Sequence, residues 1–186
     1  MNLMHQYNAI ARKQLNIAEG INLLKQVQTD LNRTMLTANA WGFTAVIANA
    51  SLIPLNVIIN AFEIKKANSL YQALVRQVYD TYSKSGTRID GHAKTALSIL
   101  KKVVIEELKH KGMTDMIPGV NIIVGLAEDS LAFYKAAEMV GTGNQEMKAM
   151  ARNLNNKIGA LTRELTQLGI KRAQILERMQ YISRNA

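Results

Sequence analysis

From Thr34 to Phe62 the chain runs for 29 consecutive residues without an Asp, Glu, Lys, Arg or His. Arg33 closes the stretch on one side, and Glu63, Lys65 and Lys66 close it on the other. As one continuous helix at ~1.5 Å per residue it would be roughly 44 Å long, more than the ~30 Å hydrocarbon core of a bilayer. It is not apolar throughout, because Thr37, Asn39, Thr44, Asn49, Ser51, Asn56 and Asn60 interrupt it. Pro54 lies inside, and proline removes a backbone donor and clashes with the preceding turn. A kinked helix, or a helix–turn–helix folded near Asn49 to Pro54, is therefore expected. Whatever its path, this segment needs a cover: protein, lipid, or one after the other.

The flanks read as long helices. Over residues 2–36 the residues Leu3, Tyr7, Ile10, Ile17, Ile21, Leu24, Leu31 and Met35 recur at spacings of three and four, with gaps at Gln14 and Gln28. That is a coiled-coil-like seam. Residues 145–184 repeat the pattern through Met147, Met150, Leu154, Ile158, Leu161, Leu165 and Leu168. The rhythm resumes at Leu176, Met179 and Ile182 after a phase shift around Ile170 to Ala173. Between these flanks, 63–83 and about 89–111 read as amphipathic helices separated by Ser83-Lys84-Ser85-Gly86. The first presents Leu70, Tyr71, Leu74, Val75, Val78 and Tyr82, and the second Leu97, Leu100, Val104 and Leu108. Gly112 ends the latter, and Gly141-Thr142-Gly143-Asn144 is the clearest break in the chain.

The expected fold is all-α: one domain over 1–186, an elongated bundle with long amphipathic N- and C-terminal helices around an apolar central helix or hairpin. A second uncharged run, Met116 to Ala127, is twelve residues long and too short to span a bilayer alone. Glu128 and Asp129 follow it.

Charge is uneven along the chain. The net +9 divides as +2 over 1–33, 0 over 34–62, +5 over 63–112, −3 over 113–143 and +5 over 144–186. Positive charge suits anionic surfaces of either lipid or nucleic acid. The ten aromatic residues lie mostly on apolar faces rather than among the bases, and no nucleic-acid-binding signature is readable, so nucleic acid is not expected. Zero cysteine rules out disulfides and thiolate chemistry. Glu107-Leu108-Lys109-His110 matches half of a di-iron Glu-x-x-His motif, but no second copy exists. No metalloprotease, phosphate-loop or nucleophile-elbow motif is present. A non-enzyme with no cofactor and no metal is expected.

Membrane action is the sharper reading. A protein that leaves water for lipid needs apolar segments of bilayer scale, shielded beforehand by amphipathic helices, and gains from basic flanks. The residues expected to insert are Trp41, Phe43, Val46, Ile47, Leu52, Ile53, Pro54, Leu55, Val57, Ile58, Ile59 and Phe62. From the second run they are Ile117, Pro118, Gly119, Ile122, Ile123 and Val124. Asn49, Asn56 and Asn60, spaced by seven and four, form one polar stripe that would line water or partner helices in a pore. Small residues at Ala38-x-x-x-Gly42 and Ala40-x-x-x-Thr44-x-x-x-Ala48 permit close helix approach, in membranes and in tight soluble bundles alike. Lys65, Lys66, Lys94, Lys101, Lys102 and Lys109 are the expected headgroup-facing bases. The plain reading of that lysine face is solvated surface.

The Ile117-Pro118-Gly119-Val120 to Gly125 stretch, with Glu128-Asp129 after it, resembles the Pro-Gly-started apolar hairpins of bacterial antagonism effectors. With Thr34–Phe62, the plan is similar to helical pore-forming toxins, including colicin-like domains and small effectors delivered by type VI secretion. The likeness covers roughly 34–62 and 113–140. It implies permeabilisation of a target-cell membrane, with membrane lipid, an immunity or chaperone protein, and further copies of the chain as partners. It also implies secretion, here without a cleavable signal peptide, since Leu15 onward is amphipathic. The alternative is a cytoplasmic, non-enzymatic interaction or scaffold protein whose apolar middle is core or an oligomer interface.

Overall fold

The three-and-four spacing of apolar residues becomes helix wherever it was read. The computed structural model describes residues 2–41, 43–85, 91–112, 122, 125 and 143–185, and of 35–41, 43–51, 77–85, 91–94 and 143–147 it describes the backbone alone. Among the described residues there are five helices and no strand. They are α1 (Leu3–Trp41), α2 (Phe43–Ala61), α3 (Lys65–Ser85), α4 (Gly91–His110) and α5 (Gly143–Asn185). The chain is an all-α helical bundle.

The uncharged stretch is not one helix. Its first eight residues finish α1, and Phe43–Ala61 form α2, of 19 residues. The chain reverses between the two: Val57 and Asn60 of α2 line one groove with Asn22, Gln26 and Asp30 of α1. In a straight helix Asn22 and Asn60 would stand about 57 Å apart at ~1.5 Å per residue. The break expected near Asn49 to Pro54 is thus displaced, falling between Trp41 and Phe43. Pro54 sits within α2 and is buried. A proline inside a helix costs about 3 kcal/mol or more. Leu52, Ile53, Leu55, Ile58 and Ile59 around it are all buried, each contributing about 1.5–3 kcal/mol. Packing outweighs the proline.

Nor does the helix expected over 63–83 continue from the stretch before it. A turn at 62–64 ends α2 in a Schellman arrangement: Glu63 N–H donates to the Asn60 carbonyl at 3.3 Å and Ile64 N–H to the Ile59 carbonyl at 3.0 Å. Glu63 takes the left-handed position, φ 50°, that glycine ordinarily fills. Ile64 is buried and supplies the apolar contact of the motif. Lys111 Nζ donates to the Phe62 carbonyl at 2.6 Å, placing a cation at the C-terminus of α2. The end of α4 follows the ordinary rule, with Gly112 at φ 67° and its N–H on the Lys109 carbonyl at 2.9 Å.

The order of packing puts α2 in the middle. It touches α1, α3, α4 and α5, while α1 also packs along α5, and α3 along α4. The core joins Ile17, Leu24 and Leu31 of α1 to Leu52, Leu55, Ile58 and Ile59 of α2, with Leu74 of α3, Leu97, Leu100 and Leu108 of α4, and Leu154 of α5. Ile122, from the second apolar run, is half-buried against this core.

Against α1 the helix α5 runs antiparallel. Gln28 meets Asn155, Lys13 Nζ meets Glu164 Oε1 at 2.7 Å, and Tyr7 meets Arg172. The two gaps in the α1 seam thereby find partners. Gln28 donates to Asn155, and Gln14 accepts from Arg172 Nη1 at 3.3 Å. Arg172 itself lies in the phase-shifted segment of α5 and is half-buried.

Candidate membrane-active segment

Every apolar side chain described on α2 from Leu52 to Ile59 is buried, Leu52 and Ile58 completely. The sequence pattern explains this enclosure. With no charge between Thr34 and Phe62, α2 offers water only its asparagine stripe, and its flanking helices each bring one apolar stripe to it. At 19 residues α2 is about 28 Å long by helical rise, close to the ~30 Å of a hydrocarbon core. Among the described residues, no helix is long and apolar enough to cross a membrane.

The expected inserting residues divide. Leu52, Ile53, Pro54, Leu55, Val57, Ile58 and Ile59 come together in the core, and Phe62 is half-buried at its margin. Trp41 ends α1, and Phe43, Val46 and Ile47 lie in the first turns of α2, with their side chains outside the described residues. Of the second run, Ile117, Pro118, Gly119, Ile123 and Val124 lie outside the described residues, as do Glu128 and Asp129.

The polar stripe lies at the margin of the buried face. Asn60 Nδ2 donates to Asn56 Oδ1 at 3.2 Å, one turn apart, with Asn60 exposed and Asn56 half-buried. Asn60 also borders the groove of about 380 Å³ shared with Asn22, Lys25, Gln26, Thr29 and Asp30 of α1. The Asn49 side chain is outside the described residues. Of the basic set, Lys65, Lys66, Lys102 and Lys109 are exposed, Lys101 is half-buried, and the Lys94 side chain is not described.

Glu107 and His110 sit on the last turn of α4, half-buried and exposed. Among the described residues, no three His, Asp or Glu side chains converge closely enough to hold an ion.

The far end of α5 departs from its sequence pattern. Leu176 and Ile182, expected to resume the α5 seam, are 41% and 56% exposed. Leu70, read as part of the α3 apolar face, is also exposed. For α5 the reason is reach. Asn60, at the end of α2, lies beside Asn22, so α1 before Ile17 runs beyond the central helix. Among the described residues nothing before Ile17 on α1, and nothing after Leu168 on α5, is buried. The phase shift at 170–173 was the available signal, because a seam that loses its rhythm has lost its enclosing core.

No known protein family, curated protein or solved structure matches the chain.

Proposed function

We propose that the chain is a membrane-inserting, pore-forming bacterial effector, with α2 as the segment that enters lipid and the long helices α1 and α5 as its cover in water. The observation that supports this reading most is the position of α2. Of the five helices α1 to α5, only α2 carries no charge; it is of near-bilayer length, lies centrally and is packed against helices that carry the charge. In lipid, Asn56 and Asn60 would face water or a neighbouring copy, since an unpaired amide in hydrocarbon is expensive. The proposed site of action is a target-cell membrane after secretion, and the proposed partners are lipid, further copies of the chain and an immunity or chaperone protein. No catalysis is invoked.

A second reading is a non-enzymatic interaction protein, for which α2 is permanent core. The complete burial of Leu52 and Ile58 favours it, since such side chains need no other explanation.

Dye release from vesicles separates the two. Purified protein added to phosphatidylglycerol-containing vesicles is expected to release trapped dye. No release over a wide range of protein-to-lipid ratios leaves the interaction reading in place.

A further inference from the structure

Eight large apolar side chains are exposed among the described residues, and six of them crowd onto the paired ends of α1 and α5: Met4, Leu15, Ile170, Leu176, Tyr181 and Ile182. Tyr181 is 71% exposed. An open groove of about 780 Å³ runs between Leu3 and the last turns of α5, bordered by Gln174, Glu177, Arg178, Tyr181 and Ile182. The same ends are strongly basic. Residues 2–16 and 164–185 carry Arg12, Lys13, Lys171, Arg172, Arg178 and Arg184 against Glu164, which pairs with Lys13, and Glu177.

The arrangement of the apolar side chains selects the occupant. At about 100° per residue, Ile170 and Tyr181 share one azimuth of α5, while Leu176 and Ile182 lie about 120° to either side of it. A partner helix or a flat protein surface covers one stripe. Side chains spread around the circumference are all satisfied only by a medium that surrounds the helix end. A second copy of this chain would bring the same excess of positive charge to the contact, which repels. A bilayer interface meets both conditions: it is fluid, it accepts Tyr at headgroup depth, and anionic lipid attracts Arg and Lys.

We propose that the paired ends of α1 and α5 are the docking surface for anionic lipid, dipping into the headgroup layer through Tyr181, Ile182, Leu176 and Met4 with Arg178 and Arg184 on the phosphates. This deepens the membrane reading, on which it rests. It assigns first contact to the helix ends rather than to the lysines of α3 and α4.

The test is flotation of the full chain with vesicles of phosphatidylcholine, with and without phosphatidylglycerol. Wild type is expected to float only with the anionic vesicles, and less as salt rises. The variant Tyr181→Ser/Ile182→Ser/Arg178→Gln/Arg184→Gln is expected to lose binding. Its two arginines alone account for about twenty-five-fold, at roughly five-fold each. A Lys65→Gln/Lys66→Gln/Lys102→Gln/Lys109→Gln variant is expected to bind within a few-fold of wild type. If the apolar substitutions disturb the fold by circular dichroism, Arg178→Gln/Arg184→Gln carries the test alone.

Undiminished binding by the tip variants overturns the docking assignment even where wild type releases dye. Binding that is lost from the tip variants while wild type releases no dye keeps the docking surface and removes the pore. Wild type that floats with neither vesicle overturns the assignment. So does a tip variant that loses self-association in sedimentation rather than lipid binding, which would make the surface a contact between copies.

Discussion

Arg172 of α5 lies against Tyr7 of α1, its Nη2 donating to the phenolic oxygen at 2.8 Å while the guanidinium carbon stands 4.5 Å from the ring centroid. The contact joins residues 165 positions apart. Nη1 reaches Gln14, and Nε is buried without a hydrogen-bond partner. A half-buried guanidinium in a seam, held by a phenol and an amide instead of a carboxylate, sets the register of the two helices more than it strengthens them.

Removing one member of this cluster leaves the others short of partners. Arg172→Ala is expected to destabilise by about 1–2 kcal/mol, from lost packing and lost hydrogen bonds. The triple change Arg172→Met/Gln14→Leu/Tyr7→Phe is expected to restore or exceed wild-type stability, as apolar replacement of a buried polar cluster often does. Urea denaturation of both variants checks this. A triple variant less stable than Arg172→Ala would show that the polar cluster is a net source of stability.

The core and the paired ends are expected to respond differently to truncation. Ile58→Ala opens a cavity at a fully buried site and should cost about 2–5 kcal/mol. Leu15→Ala, at a side chain 71% exposed, should stay within about 0.5 kcal/mol of wild type. Denaturation midpoints at equal m-value compare the two directly.

Glu63 holds a conformation that suits glycine better. Glu63→Gly is expected to be neutral or to stabilise by up to about 1 kcal/mol, since relief of left-handed strain exceeds the added freedom of the unfolded chain. Glu63→Val should lower the midpoint, because a β-branched side chain tolerates positive φ poorly. Thermal melts of the two variants should bracket wild type.

Entry of α2 into lipid requires it to leave α1. The chain has no cysteine, so single pairs can be introduced cleanly. Asn22 and Asn60 are both exposed and face one groove. Asn22→Cys/Asn60→Cys joined by a short bis-maleimide is expected to lose dye release, and the same variant blocked by a mono-maleimide to keep it. Equal release from both forms would mean that α2 need not part from α1.

Helix class was legible because it is local. The seam through Ile17, Leu24 and Leu31, the lysine face of α4 and the stop at Gly112 each rest on residues within a few turns of one another. The cap at Glu63 was not legible, for no glycine marks it, and the bonds that define it are known only once the backbone is placed. The gaps at Gln14 and Gln28 and the phase shift near Ile170 were visible as irregularities, with no sign of what they answered.

By itself, then, the sequence determined an all-α chain with two long amphipathic helices and an uncharged middle, since periodicity and charge act over a turn or two. Only the tertiary structure decided that this middle turns back between Trp41 and Phe43, that α2 runs through Pro54, and that Gln14 and Gln28 face Arg172 and Asn155. The reason is range. Where the chain reverses, and which irregularity meets which, depends on burial shared by residues far apart, and that burial is large enough to carry a helix past a proline.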